Sequence, residues 1–408
     1  MQYLPRFACL KLATVLMLAV PPSLRAQQPV ASFYYDGAGN VVRQAQDSNG
    51  DGKMDRWIYY DVHGQTERVE QDVNFDGKPD ITIYYESGKP VRQEIATKND
   101  GRVDTWIYLS AKGEIERKGH DPEHTGQPTL WVYYKNGEPV RSEESGKTAD
   151  GYKRKVFYKD GKISRVEEDT NGDGVPDSFS YYDKGQLVRK ELDRKHRGKI
   201  DLWGYYQDGL LIRQEEDLQG DGKVGRIVYF RGDEVVRRDE DTAHHGRMDM
   251  IELFSQGHLT KRLRDTKGIG RWDTVSYYQD NQLVREERDT NGDGFFDLRV
   301  IYEKGVIVAQ DADPNGDRRV DVWVNFQKGE RIEQLEDQKF TGKITARYRF
   351  KDGQVVDQEQ VENADPPRLS QPFVAVQEEL GGLVSGGAAA AKPPENSLSG
   401  VGVGPGMK

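Results

Sequence analysis

Residues 169–192 read Asp169-Thr-Asn-Gly-Asp-Gly-Val-Pro-Asp177, Ser178-Phe-Ser-Tyr-Tyr182, Asp183-Lys-Gly185 and Gln186-Leu-Val-Arg-Lys-Glu-Leu192. The second and fourth pieces carry the aromatic and branched residues that suit a pleated, half-buried surface. Between them lies a short polar turn with Gly, the chemistry of a tight hairpin connection. The stretch therefore reads as loop, strand, turn, strand.

The same unit recurs along the chain, and a fixed period of this kind decides the architecture before any motif does. Aligned on the Asp-rich piece, units start at residues 47, 72, 96, 121, 146, 169, 193, 217, 241, 265, 289, 313 and 337, thirteen units spaced by 23 to 25 residues. The aromatic segments include Trp57-Ile-Tyr-Tyr60, Trp131-Val-Tyr-Tyr134, Trp203-Gly-Tyr-Tyr206 and Val275-Ser-Tyr-Tyr278. The second segments include Pro90-Val-Arg92, Leu187-Val-Arg189, Leu211-Ile-Arg213 and Leu283-Val-Arg285. Alternate residues of a strand face opposite sides, so Trp57 and Tyr59 share one face while Ile58 and Tyr60 share the other. One hairpin cannot bury both faces alone, whereas a stack of neighbours can. The expected fold is all-β: an elongated, twisted array of about thirteen antiparallel β-hairpin repeats of about 24 residues. A β-propeller is the alternative, with two units per four-stranded blade.

The array is bounded by two segments of different character. Residues 1–26 read as a secretory signal: Arg6 and Lys11 precede the apolar run Leu12 to Val20, and Ala26 offers a small residue for cleavage. The repeat array is assigned to residues 27–361, and residues 362–408, rich in Pro, Gly and Ala, read as a flexible tail. The single cysteine, Cys9, lies in the leader, so no disulfide framework is expected in the mature chain. No later stretch reaches the roughly 18 to 20 apolar residues of a spanning helix. The 408 residues carry a net charge of −10, and loss of Arg6, Lys11 and Arg25 would leave 56 basic against 69 acidic residues. This balance disfavours nucleic acid, whose phosphates want a basic face. Cations are the more natural ligands, and an exported location in the periplasm, at the cell surface or outside the cell is expected.

The Asp-rich loops carry the sharpest chemistry. The pattern Asp-x-Asn-x-Asp-Gly-x-x-Asp is complete at Asp47/Asn49/Asp51/Asp55, Asp72/Asn74/Asp76/Asp80, Asp169/Asn171/Asp173/Asp177 and Asp289/Asn291/Asp293/Asp297. A fifth copy, Asp313/Asn315/Asp317/Asp321, has Arg318 where Gly is expected. Side-chain oxygens at positions 1, 3, 5 and 9, a carbonyl at 7 and a Gly at 6 resemble the first part of a calcium loop of EF-hand or thrombospondin type. Position 12 is Ile58, Ile83, Ser180 or Val300 instead of the bidentate Glu, which implies several weak, structural Ca2+ sites. Elsewhere position 3 becomes Lys98, Lys195, Lys267 or Lys339, an ammonium able to take the ion's place. Asp and Asn also build Asx turns without metal, so turn chemistry alone is the competing reading.

The pattern Trp-x-Tyr-Tyr-x-x-Gly followed by an apolar-Arg-x-Glu strand resembles the bacterial, antitoxin-like variant of the MORN repeat. Tyr35-Asp36-Gly-Ala-Gly39-Asn40 and Tyr60-Asp61-Val-His-Gly64-Gln65 resemble the YD repeat of Rhs-type surface proteins. No Gly-x-Ser-x-Gly, phosphate-loop or His-Glu-x-x-His motif is present, and no unique cluster interrupts the repeat, so no enzyme is expected. The expectation is an exported, calcium-stabilised scaffold or interaction surface. The alternatives are a polysaccharide or cell-wall binding module using the aromatic column, and, from the MORN resemblance, an antitoxin-like or immunity protein. The partner is an unknown protein or polysaccharide. Arg92, Arg141, Arg189, Arg213, Arg237 and Arg285, with acidic neighbours such as Glu191 and Glu215, read as cross-strand charge ladders.

Overall fold

The computed structural model describes residues 30–146, 151–367 and 371–377. The expected leader, with Cys9, and most of the expected tail lie outside the described residues. The described chain is all-β and forms two compact units, one ending at Pro139 and one beginning at Val140. The first unit holds β1 (Val30–Tyr35), β2 (Val41–Asp47), β3 (Arg56–Tyr60), β4 (Thr66–Gln71), β5 (Ile81–Glu86), β6 (Lys89–Ile95), β7 (Thr105–Leu109), β8 (Ile115–His120) and β9 (Leu130–Lys135). The division falls inside β10 (Glu138–Ser145). The second unit continues with β11 (Tyr152–Lys159), β12 (Lys162–Glu168), β13 (Ser178–Asp183), β14 (Gln186–Leu192), β15 (Leu202–Gln207), β16 (Leu210–Glu216), β17 (Arg226–Arg231) and β18 (Glu234–Glu240). It ends with β19 (Met250–Ser255), β20 (His258–Arg264), β21 (Thr274–Gln279), β22 (Gln282–Arg288), β23 (Leu298–Glu303), β24 (Val306–Ala312), β25 (Val322–Gln327), β26 (Glu330–Glu336), β27 (Ile344–Lys351) and β28 (Gln354–Ala364).

Taken two by two in chain order, the 28 strands make fourteen hairpins, one more than the Asp loops count, because β1 and β2 precede the first loop. The turns explain the tightness of the hairpins. Asp208 and Gly209 both take positive φ, 51° and 80°, and so do Lys184 and Gly185 at 50° and 88°. This is the two-residue geometry whose twist matches that of the flanking strands. In the first unit, Asp36 and Asp61 open longer turns, and each carboxylate accepts two amides of its own turn: Ala38 and Asn40, or His63 and Gln65.

Pairing does not stop at the hairpin. Within the first unit β2 also pairs with β3, β4 with β5 and β6 with β7; within the second β12 pairs with β13, β14 with β15 and β22 with β23. A propeller needs separate blades of four strands, and this continuous antiparallel ladder has no blade boundary, so the propeller alternative is corrected to an open hairpin array. A register shift recurs between the two aromatic positions, as at Tyr181/Tyr182 and Tyr205/Tyr206, and leaves Val188 and Ile212 without a Cα partner in the ladder. Such bulges add local twist.

The tail reading is corrected in part. β28 runs to Ala364, and residues 371–377 lie against the second unit. Phe373 and Val376 are 2% and 5% exposed and join a core with Phe296, Val320, Trp323 and Leu335. The backbone follows: Phe373 donates to the Arg318 carbonyl, Phe296 to Val374 and Val376 to Gly294. An apolar run, Phe373-Val-Ala-Val376, is buried here at the cost of its chain entropy alone.

Two outcomes follow. Gly209→Val places a β-branched residue in a left-handed turn with no neighbour within 4 Å of the added Cβ, and should cost about 1–2 kcal/mol in urea unfolding through backbone strain alone. Phe373→Ala empties a filled core position and should destabilise the second unit by about 3 kcal/mol, read as lost hydrogen-exchange protection at Phe296 and Val376.

Candidate functional site

The five motif loops each begin on a buried Asp at or just after the end of a strand and close on a second buried Asp, positions 1 and 9. In the first loop Asp47 and Asp55 are 4% and 5% exposed, whereas Asn49 and Asp51 face solvent. The Asp47 carboxylate accepts the amides of Gly50 at 2.6 Å and Gly52 at 2.8 Å. Asp55 accepts the Ser48 amide at 2.8 Å, the Ser48 hydroxyl at 2.6 Å and the Asn49 amide at 3.2 Å. The side chains at 3 and 5 make Asx turns: Asn49 Oδ1 accepts from Asp51, and Asp51 Oδ1 from Lys53.

The other complete motifs repeat this arrangement. Asp72 accepts from Asp76 and Gly77, and Asp80 from Val73 and Asn74. Asp169 accepts from Gly172 and Gly174, and Asp177 from the amide and hydroxyl of Thr170. Asp289 accepts from Gly292 and Gly294, and Asp297 from Thr290 and Asn291. Position 3 also faces position 5: Asn49, Asn74, Asn171 and Asn291 each donate an amide hydrogen to Asp51, Asp76, Asp173 and Asp293. Successive loops are joined through position 9, whose carbonyl accepts the amide of the next loop's first Asp, as Asp193 to Asp177 and Asp289 to Asp273 at 2.8 Å.

Of the loops without the full motif, those starting at Asp193, Asp241 and Asp265 keep both anchors, whereas Ala96 replaces the first in one loop and Thr129, Gly225 and Thr345 replace the second in others. Asp241 accepts from His245 and Gly246, and Asp249 from the Thr242 amide and hydroxyl and the Ala243 amide. Two of the lysines at position 3 reach beyond their own loop. Lys195 reaches the Leu218 carbonyl and Lys267 the carbonyls of Asp289 and Thr290, each in the following loop. The ammonium therefore staples one loop to the next.

The fifth copy differs. Asp313 accepts the amides of Gly316 and Arg318, Asn315 that of Asp317, and Asp317 that of Arg319. Asp321, 3% exposed, has an Oδ2 atom that is buried without a hydrogen-bond partner. Carboxylate oxygens of Asp313, Asp317 and Asp321 lie within 4.8 Å of one another, the one such group of three among the described residues. Burial, and then the neighbouring carboxylates of Asp317, Asp313 and Asp337, push the Asp321 carboxyl up to about 7. At Asp217 the opposite holds. Burial would raise it, but the amides of Gly222 and Gly220 outweigh burial and hold the carboxyl below its ordinary value.

A second recurrent constellation covers one face of the strands. Arg189 pairs with Glu191 two residues along the same strand, and Tyr181 from the neighbouring strand donates its hydroxyl to Glu191 at 2.9 Å. Arg213, Glu215 and Tyr205 repeat the triad, as do Arg92, Glu94 and Tyr84. The guanidinium carbon lies 4.0 Å from the Tyr84 ring centre and 4.1 Å from that of Tyr59 for Arg68. The ladder runs both ways: each named Arg pairs with the acid two residues along its own strand, while Lys155–Glu143, Arg226–Glu240, Arg262–Glu252 and Arg299–Glu287 cross strands beside the tyrosine links. Trp57, Trp106, Trp131 and Trp203 are half-buried in the same face, and Trp323 is buried.

No protein-family model matches the chain, and no curated protein matches it. Among solved structures, that of accessory secretory protein 1,2 and 3 of Streptococcus pneumoniae is 18% identical over 25% of this chain and 17% of that chain, with a TM-score of 0.16. The TcdB2-TccC3-Cdc42 structure is 12% identical over 78% of this chain and 24% of that chain, with a TM-score of 0.15. The Tc holotoxin pore of Photorhabdus luminescens is 12% identical over 78% of this chain and 23% of that chain, with a TM-score of 0.14. The chain spans about a quarter or less of each of these proteins, and likeness at these TM-scores carries no functional inference. Among the described residues no helix is long and apolar enough to cross a membrane.

Asp249→Ala removes the acceptor of the Thr242 amide and hydroxyl and the Ala243 amide, and should cost about 1.5–4 kcal/mol in urea unfolding, because each such partly exposed hydrogen bond contributes about 0.5–1.5 kcal/mol net. Carboxyls lowered in the fold, Asp193, Asp217 and Asp249 among them, stabilise it above the unfolded carboxyl pKa of roughly 3.9. That contribution disappears as pH falls through their folded values. Circular dichroism should therefore show the array intact at neutral pH and losing structure below about pH 4.

Proposed function

We propose that the chain is a non-enzymatic repeat scaffold, exported from the cytosol, that presents the Tyr–Arg–Glu face as an interaction surface. The observation that supports this reading is recurrence: two Asp anchors hold most of the loops, a two-residue left-handed turn closes most of the hairpins, and the Tyr–Arg–Glu triad repeats along the strands. A catalytic site gathers unlike groups at one place, and uniform units that contact only their neighbours extend a surface instead. Calcium enters as an additional structural ion where a loop leaves a carboxylate for it, at the weak affinity, about 10⁻⁴ to 10⁻³ M, of extracellular modules. The partner is a protein or polysaccharide. A surface with half-buried tyrosines whose hydroxyls bind glutamate and with guanidinium over the rings is pre-organised, which lowers the entropy lost on docking.

Stability of such a scaffold is a sum over units and their neighbours. Removal of residues 193–240, two whole units by the period, should therefore leave a chain that still folds, with unchanged β-content per residue by circular dichroism. A chain that unfolds on this deletion is a single cooperative globule and not a modular scaffold. N-terminal sequencing of the protein recovered from the cell envelope or medium should begin at Gln27, and an intact Met1 there would remove export by a cleaved leader.

A further inference from the structure

We propose that Asp313, Asp317 and Asp321 form the binding site for a hard divalent cation, calcium in the first place, and that the four complete motifs are closed on their own backbone instead. This rests on the calcium reading above and assigns it to one loop. Of the five motif loops, the one that departs from the consensus is thereby the one equipped for the ion.

The cause is the residue at position 2. In the first, third and fourth complete motifs this residue is Ser48, Thr170 or Thr290, and its amide and hydroxyl both bind the position-9 carboxylate. In the second, Val73 still supplies its amide, at 2.9 Å. At the fifth loop position 2 is Pro314, which has neither an amide hydrogen nor a hydroxyl. Asp321 consequently has a buried oxygen with no donor, turned toward two further carboxylates. A buried anion is retained only when paired, hydrogen-bonded or bound to metal. Asp201 makes the contrast: it also has an unpartnered oxygen, but its other oxygen binds Arg194 Nε at 3.0 Å, which neutralises it. At the fifth loop the guanidinium of Arg318 lies over the Phe295 ring, 3.9 Å from its centre, and the charge of Arg319 offsets the burial and carboxylate repulsion at Asp321 only in part.

The donor set selects the class of ion. All three side chains offer oxygen, with no imidazole or thiolate, which suits hard cations and not copper, zinc or iron–sulfur chemistry. Three carboxylates are too few for a closed shell of six to eight oxygens, so carbonyls and water complete it, an arrangement calcium tolerates better than the strictly octahedral magnesium.

The test uses the full chain, equilibrated with about 1 mM calcium, a concentration at the weak end of extracellular sites. Bound metal is counted by mass spectrometry and melting is followed with calcium and with chelator. Wild type and Asp293→Asn, altered at the exposed fifth position of a complete motif, should hold the same number of ions and melt higher with calcium. Asp321→Asn and Asp317→Asn should each hold one ion fewer and lose the calcium-dependent rise. Asp317 is exposed, so its variant keeps the test valid if the Asp321 variant fails to fold. Equal ion counts in Asp317→Asn and wild type, or a loss in Asp293→Asn, would place calcium elsewhere, overturning this site while sparing the calcium reading. No ion on wild type would overturn both.

Discussion

The structure depends on buried aspartates whose carboxyl oxygens are bound by the chain's own amides. A carboxylate removed from water is costly unless its lone pairs are filled. Asp47 and Asp55 are filled by four amides and one hydroxyl within nine residues. Filling them fixes the loop path, including the left-handed Gly52 at φ 89°, where a side chain would be strained. A fixed loop in turn delivers each strand to its neighbour in one register. The link from Asp193 to the Asp177 carbonyl carries that register forward, so the regularity of the hairpins descends from the regularity of the loops.

Most of this is written in the sequence at short range. Asp208-Gly209 specifies its turn by the φ values those residues tolerate, and the aromatic alternation specifies which side chains share a face. What escaped was information held between units. The partner of Arg189 is Glu191 on its own strand, a geometry set by the shared face and not by strand neighbours. The hairpin before Asp47 has no loop of its own to announce it. Residues 371–377 sit in a region whose composition suggests a tail, yet Phe373-Val-Ala-Val376 is an apolar run with a groove to fill beside Phe296 and Trp323.

The Asp motif itself was legible as chemistry but not as outcome. Its residue types suit both a cation and an Asx turn, and the choice turns on a donor outside the consensus pattern. Ser48, Thr170 and Thr290 close their loops, whereas Pro314 leaves one open. A motif scan scores positions 1, 3, 5 and 9 and passes over position 2, although position 2 decides whether the ninth residue is satisfied. In the tyrosine, arginine and glutamate triads on the strand face the glutamate is matched by both partners, while the Nε atoms of Arg92, Arg189 and Arg213 are buried without a hydrogen-bond partner.

The most direct measurement is thermal unfolding of the full chain at neutral pH in excess chelator. The account requires a cooperative β-sheet transition without any metal, because amides and hydroxyls hold the anchors in the loops that repeat. A chain that is already unfolded in chelator, and folds only when calcium returns, would contradict it, since the aspartates would then depend on the ion and not on the backbone.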